Sequence, residues 1–136
     1  MTNHAAKLLI KDMDTNSYLV VYRSDHPIFL KSVDLPGGAV EVGETALEAT
    51  LREVTEEIQV DGSAFEIQSL YDGTDYSRLD TRYSLFYTEL PAKVPVTLSW
   101  EHSRYDWVNK KQLIDEARTS NDKFMHMTAD QLEKMS

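Results

Sequence analysis

The chain has 136 residues, of which 41% are hydrophobic and 27% are charged, a balance that is typical of one globular domain over residues 1–136. It contains no cysteine, which excludes disulfides, thiolate metal sites and cysteine nucleophiles. Its 23 acidic residues outnumber its 14 basic ones and give a formal net charge of -9; this argues against nucleic-acid polymers and anionic membranes as partners, because both are bound through clustered Lys and Arg.

The first part of the chain predicts two strands and then a loop-rich segment. Residues 5–10 and 18–23 are rich in aliphatic and β-branched side chains and are separated by polar turn residues, so we expect strand, turn and strand. The proline and glycines at 36–38 indicate loops around one brief apolar segment at residues 28–30. The apolar run near the N-terminus is far shorter than a signal-peptide core or the roughly 20 residues of a membrane span, and we expect a cytoplasmic protein.

A helix is predicted to begin at Thr45. The segment from Thr45 to Glu48 has the form of a capping box, in which the Thr45 hydroxyl accepts from a first-turn amide and Glu48 reaches back to the cap's own N–H. Apolar residues then recur at helical spacing, at Leu47, Leu51, Val54 and Ile58. Such a stripe packs on a sheet, so we expect this helix to cover one face of the strands.

The second half of the chain predicts further strands followed by two helices. Residues 64–71, 82–90 and 104–108 are strand-like, and Asp72-Gly73 favours a turn between the first two of these strands. Asn109 is placed to cap a helix over residues 110–118.

A second capping box, from Thr128 to Gln131, predicts the start of a C-terminal helix. The resulting order is strands, helix, strands, helices. It indicates an α+β fold, an α/β/α sandwich in which a mixed β-sheet is flanked by helices.

Three carboxylates share one face of the helix that begins at Thr45. Glu53, Glu56 and Glu57 stand at i, i+3 and i+4, so we expect their side chains to emerge close together on a face away from the apolar stripe and to repel one another. A solvated helix face explains such a cluster when it occurs alone. A divalent cation is the alternative, because Mg²⁺ takes oxygen ligands and binds through one or two carboxylates plus substrate phosphates. The paired glycines upstream favour the second explanation, since they let backbone groups approach a ligand.

The spacing of these residues resembles the Nudix box, Gly-x5-Glu-x7-Arg-Glu-U-x-Glu-Glu-x-Gly-U, where U is aliphatic. The chain reads Gly38, five residues, Glu44, seven residues, and then Arg52-Glu53-Val54-Thr55-Glu56-Glu57-Ile58-Gln59-Val60. One fixed position differs, because Gln59 stands where the family has glycine. A glycine just past a helix end supplies a left-handed residue, so we expect either strain at Gln59 or a turn that uses Gly62 instead.

The resemblance implies a Nudix fold and hydrolysis of a nucleoside diphosphate linked to another moiety, with Mg²⁺ or Mn²⁺ held by the box. By position, Glu56 and Glu57 resemble the metal ligands, and the Gly38 region would offer a backbone carbonyl. Glu53 resembles either a metal ligand or the group that orients or deprotonates the attacking water. Arg52 and Glu44 resemble structural residues of the box, with the arginine fixing the rotamer of a carboxylate.

Residues beyond the box are implied to complete the site. In the family the catalytic base can come from a later loop, and Glu101 is the candidate here, with His102 as an alternative base. Tyr105 could stack on a nucleobase or belong to the core, as could Trp107. Among the cations that could hold phosphate, Arg23 is favoured over the other three candidates. Those three are Arg78, Arg82 and Arg104.

The longer signatures of several Nudix subclasses are absent, and the small size favours a nucleoside triphosphate or related nucleotide as substrate. The partner implied is therefore a small-molecule nucleotide. The alternative is a noncatalytic Nudix-fold module that binds a nucleotide or sugar nucleotide, although such modules usually lose box carboxylates that this chain keeps. A homodimer is the default expectation for the oligomeric state.

Overall fold

The computed structural model describes residues 3–23, 33–77, 79–100 and 102–135, except for the side chains of Arg23 and Ser103. This part of the chain forms seven strands and three helices. In chain order they are β1 (His4–Asp12), β2 (Ser17–Arg23), β3 (Val33–Asp34), β4 (Gly37–Ala39), α1 (Ala46–Ile58), β5 (Gln68–Gly73), β6 (Arg82–Leu90), β7 (His102–Val108), α2 (Lys110–Thr119) and α3 (Lys123–Lys134).

The strands form one mixed sheet with the order β3-β2-β1-β6-β5, in which β4 also pairs with β1 and β7 with β2. β1 runs parallel to β6 along its whole length, from the pair His4 and Arg82 to the pair Asp12 and Leu90. The other pairings are antiparallel. Within the described residues, no helix combines the length and apolarity needed to cross a membrane.

The sheet is covered by helices on both faces because successive side chains of a strand point to opposite sides. On one face, Leu9 and Val20 pack with residues of α2 and α3. On the other, Leu8 and Leu19 pack with the apolar side of α1. The predicted α/β/α arrangement, with a mixed sheet between helices, is confirmed.

The glycine-rich segment contributes strands that the sequence patterns did not predict. Gly37 and Gly38 lie in β4 and pair with Lys7 and Ala6 of β1, although glycine disfavours strands in general. The predicted strand at 64–71 begins only at Gln68, since residues before it form a turn closed by the Phe65 N–H and the Gly62 carbonyl. The predicted turn at Asp72-Gly73 is wrong, because both residues belong to the end of β5. The apolar segment at 28–30 lies outside the described residues.

Two of the three predicted helix starts are correct and one is wrong. Thr45 and Glu48 form the predicted capping box of α1, and Asn109 caps α2 by accepting from the Gln112 N–H. The C-terminal helix begins well before the predicted Thr128, however. Asp122 is its N-cap, and the Thr128 hydroxyl lies inside the helix, where it donates to the Phe124 carbonyl. A Thr-x-x-Gln pattern within a helix therefore imitates a start signal.

The end of α1 shows how the chain accommodates Gln59. Its φ and ψ are 55° and 42°, the left-handed conformation that glycine adopts with less strain, and its N–H donates to the Thr55 carbonyl. The strain predicted for Gln59 is confirmed, whereas Gly62 is not used as a substitute cap.

Gln59→Gly is expected to stabilise the protein by about 0.5–1 kcal/mol, because relief of the left-handed strain exceeds the extra chain entropy that glycine loses on folding. Urea unfolding of the two proteins measures this change. Gln112→Gly is the matched control, since Gln112 lies within α2 and glycine there should destabilise by about 1 kcal/mol. A destabilised Gln59→Gly variant would show that the glutamine side chain supports the turn.

Candidate active site

The centre of the box is a close contact between β4 and α1. A Cβ atom added to Gly38 would lie 2.8 Å from the Glu53 carboxyl carbon and 3.0 Å from Glu53 Oε2. Only glycine leaves room for the Glu53 carboxylate to lie directly against this strand. The backbone of the glycine segment and the Glu53 carboxylate of the helix are therefore in direct contact.

Glu57 is the buried member of the carboxylate group, with 6% of its surface exposed. Its Oε2 accepts a hydrogen bond from the Gly37 N–H at 3.1 Å. Burial raises the pKa of Glu57 to about 8; the Gly37 hydrogen bond and the charge of Lys7 lower it, whereas Glu53 and Asp34 raise it further. The expectation that all three carboxylates face away from the packed side of α1 is wrong for Glu57. Leu47 was expected on the packed side, as part of the apolar stripe, but it is 38% exposed.

Arg52 organises the remaining box carboxylates. Its Nε and Nη2 donate to the two carboxylate oxygens of Glu44 at 2.8 and 3.0 Å. Its Nη1 donates to Glu53 Oε1 at 2.8 Å and to Glu56 Oε2 at 3.4 Å. Nη2 also reaches the Ala39 carbonyl at 3.2 Å, which ties the network to β4. One guanidinium thus contacts three carboxylates.

Arg52→Lys is expected to lower the free energy of unfolding by about 1–2 kcal/mol, because an ammonium group cannot bond Glu44 through two donors and span Glu53 at the same time. Urea denaturation at neutral pH measures the change. Arg82→Lys is the control: Arg82 pairs with Asp72 through two donors, but both side chains are largely exposed, so we expect about 0.5 kcal/mol or less. Equal losses in the two variants would contradict a special role for Arg52.

The donor set fits a divalent cation that is held incompletely by the protein. The hydrogen bonds described above engage one oxygen each of Glu53, Glu56 and Glu57, and the glycine segment adds main-chain carbonyls. Among the residues that the structure describes, no three His, Asp or Glu side chains are already arranged as a metal site, so Glu53, Glu56 and Glu57 do not form a complete cage. Mg²⁺ suits such a surface, because it keeps several waters and takes substrate phosphates as ligands.

The segment before β7 is attached to the end of α1. The Ser99 N–H donates to the Glu57 carbonyl at 2.8 Å, and the Thr97 N–H donates to the Ile58 carbonyl at 3.1 Å. Glu101, the candidate base, lies outside the described residues. His102, the alternative base, is the first residue of β7 and is 9% exposed.

The remaining predicted binding residues are distributed over the two faces of the sheet. Tyr105 pairs with Val21, and its side chain is 42% exposed. Arg104 lies on the opposite face, with its guanidinium carbon 4.1 Å from the centre of the Tyr22 ring.

Trp107 is half-buried and packs against the core beside α1. Of the two alternatives for this residue, stacking on a nucleobase or packing in the core, the structure shows packing against the core. The side chain of Arg23 and the whole of Arg78 lie outside the described residues, and Arg82 is engaged by Asp72.

Two charged residues that were not predicted as part of the site lie beside the glycine segment. Lys7 and Asp34 form an ion pair in which each side chain is only 12% exposed, and the Asp34 Oδ1 also accepts from the Leu35 N–H at 2.8 Å. In the sequence, Lys7 could have been identified as a charged residue within a predicted apolar strand. Asp34 was marked only by its place before the Leu-Pro-Gly turn.

Comparison with known proteins gives consistent results. The family model described as NUDIX domain matches residues 1–127. Dihydroneopterin triphosphate diphosphatase of Escherichia coli (strain K12) is 33% identical over 116 residues, which cover 75% of this chain and 75% of that protein.

Two solved structures show the same fold. The E. coli dihydroneopterin triphosphate pyrophosphohydrolase has a TM-score of 0.73 at 23% identity, covering 97% of this chain and 93% of that chain. A C. elegans Ap4A hydrolase, solved as a binary complex, has a TM-score of 0.73 at 21% identity and covers 96% of this chain and 93% of its own. The resemblance read from the box is confirmed, and the chain belongs to the Nudix family.

Proposed function

We propose that this protein is a Nudix pyrophosphohydrolase, which hydrolyses a phosphoanhydride bond in a nucleoside triphosphate or related nucleotide with the help of Mg²⁺ or Mn²⁺. The observation that carries the proposal is the contact between β4 and α1. There the buried Glu57 carboxylate accepts from the Gly37 N–H, and the Glu53 carboxylate lies against Gly38. Carboxylate oxygens that lie against this strand, together with the Gly38 carbonyl, would hold one cation. Relatives named as triphosphate diphosphatases support the same reaction class.

Glu57, Glu53, Glu56 and the carbonyl of Gly38 are the groups that would hold the ion. When bound, a divalent cation would neutralise phosphate oxygens and acidify a water. Glu57 enters this role with one oxygen fixed by the Gly37 N–H, so its side chain loses little freedom when the other oxygen binds. Arg52 holds Glu53 and Glu56 in place through one oxygen of each.

Glu101 remains the proposed base that takes a proton from the attacking water, with Glu53 as the alternative within the box. Support for Glu101 comes from the described neighbours in the chain. Ser99 is hydrogen-bonded to the Glu57 carbonyl, which brings this part of the chain to the end of the box helix. His102 is less suited to the role, because it is buried at the start of β7.

Arg23 and Tyr105 are the proposed substrate-binding residues. Both belong to the paired strands β2 and β7. The exposed ring of Tyr105 is available to stack on a planar heterocycle. The heterocycle and the triphosphate of dihydroneopterin triphosphate, which the relatives' name contains, match this division between an aromatic residue and cationic phosphate-binding groups. We therefore include dihydroneopterin triphosphate among the substrates to be tested.

The proposal is tested by measuring orthophosphate and pyrophosphate release from nucleoside triphosphates, dihydroneopterin triphosphate, nucleotide sugars, ADP-ribose and dinucleoside polyphosphates. Each compound is assayed with Mg²⁺, with Mn²⁺ and with excess EDTA. Turnover that depends on the metal and releases pyrophosphate from a triphosphate supports the proposal. Nucleotide binding without turnover of any compound, in protein shown to be folded, favours the noncatalytic binding module.

A further inference from the structure

Lys7 brings a buried positive charge close to the proposed cation site. It lies on β1 directly opposite Gly37, and its ammonium group is 5.3 Å from the centre of the Phe124 ring. The charges of Asp34, Asp122 and Glu57 all raise the pKa of Lys7 and outweigh the effect of burial. Lys7 is thus a cation with three acidic neighbours, of which only Asp34 forms an ion pair with it among the described residues.

Gly37 connects this ion pair to the box. A Cβ added to Gly37 would lie 2.5 Å from Lys7 Cα and 2.7 Å from Lys7 Cγ, so the lysine stem is in contact with the glycine. The N–H of the same glycine donates to Glu57. Gly37 therefore contacts both the Lys7 stem and the Glu57 carboxylate, which the proposed function assigns to the metal.

We propose that Asp34 is a positioning residue that holds the Lys7 ammonium group away from Glu57 and so keeps the Glu57 carboxylate available to a divalent cation. This inference rests on the proposed function. Asp34 can hold the ammonium firmly, because its Oδ1 is itself fixed by the Leu35 N–H and both side chains of the pair are nearly buried.

The Lys7 ammonium group and a divalent cation would compete for the Glu57 carboxylate. An ammonium on a flexible four-carbon stem turns to other carboxylates once its partner is lost, and Asp122 and Glu57 are the two others that act on Lys7. If it pairs with Glu57, it occupies an oxygen that the metal needs and adds electrostatic repulsion against the incoming ion, which is strong in a partly buried site. Asp34 prevents both effects by neutralising Lys7 in place.

The test is Mn²⁺ binding to the full chain, measured as the loss of the free Mn²⁺ signal in electron paramagnetic resonance, with thermal melts to show that each variant is folded. Asp34→Asn keeps the Oδ1 oxygen, which accepts from both Lys7 and the Leu35 N–H, but removes the negative charge that holds the ammonium, and we expect its Mn²⁺ affinity to fall at least about tenfold. The double variant Lys7→Met with Asp34→Asn should recover to within about threefold of the wild type, because no ammonium is left to compete. Asp115→Asn, in an exposed pair with Lys111 on α2, is the charge-matched control and should bind like the wild type.

A double variant that binds no better than Asp34→Asn would overturn the inference, because a purely structural pair gives no recovery. Unchanged affinity in Asp34→Asn would overturn it as well, while leaving the proposed metal site intact. Absence of Mn²⁺ binding in the wild type itself would contradict the metal site of the proposed function, and this inference with it. If Asp34→Asn does not fold, Lys7→Met alone decides: we expect affinity at least equal to that of the wild type, and a tenfold loss would refute the competition.

Discussion

Glu57→Gln is expected to reduce kcat for pyrophosphate release by roughly a thousandfold, equivalent to about 4 kcal/mol of transition-state stabilisation. The amide oxygen of glutamine still accepts from the Gly37 N–H, so the local structure survives. The variant cannot ionise, so it cannot supply the negative charge that the cation requires. Steady-state assays at saturating Mg²⁺ on the best substrate of the panel measure the effect.

Glu66→Gln is the matched control for this variant. Glu66 is exposed, and its main-chain carbonyl, not its carboxylate, accepts from the Thr88 hydroxyl. The same change of charge should therefore leave kcat within about twofold of the wild type, as is usual for exposed sites remote from the chemistry. Equal activity in Glu57→Gln and Glu66→Gln would show that Glu57 is not part of the proposed site.

Gly37→Ala is expected to destabilise the fold by about 3 kcal/mol. Gly37 has a φ of +147°, a conformation that L side chains rarely adopt, and its added Cβ would lie 2.3 Å from the Ala6 carbonyl oxygen. The obstacle is backbone on a central strand, so it cannot move aside as a flexible side chain could. Chemical denaturation monitored by circular dichroism measures the loss of stability.

Gly43→Ala separates backbone strain from steric conflict in this prediction. Gly43 also has a positive φ, of +89°, but an added Cβ would meet nothing within 4 Å. We expect a loss of about 1 kcal/mol from strain alone. If both alanine variants lose the same stability, the close packing of Gly37 on β1 has no energetic consequence and the prediction fails.

The local features of the fold could be predicted from sequence because they depend on a few neighbouring residues. The capping box at Thr45 and the left-handed residue at Gln59 are both present as predicted. Arg52 is also hydrogen-bonded to Glu44 and Glu53, which lie at fixed spacings from it in the box. Fixed spacing along a helix determines which of these side chains can meet.

Features that depend on distant parts of the chain could not be predicted in the same way. The burial of Glu57 results from its contact with Gly37, twenty residues away in the chain. The pairing of Lys7 with Asp34 arises because β1 and the end of β3 converge beside the glycine segment. The start of α3 was misread because a Thr-x-x-Gln pattern has the same local form inside a helix as at its beginning.

The central claim is that a divalent cation held between β4 and α1 promotes attack of water on phosphorus. Its most direct test is hydrolysis of the preferred triphosphate in ¹⁸O-labelled water, with mass spectrometry of both products at a series of Mg²⁺ concentrations. The account predicts one ¹⁸O atom in a phosphate-containing product, at a rate that rises with Mg²⁺ and vanishes in EDTA. Turnover that persists unchanged in EDTA, or release of pyrophosphate with no ¹⁸O in either product, would contradict it.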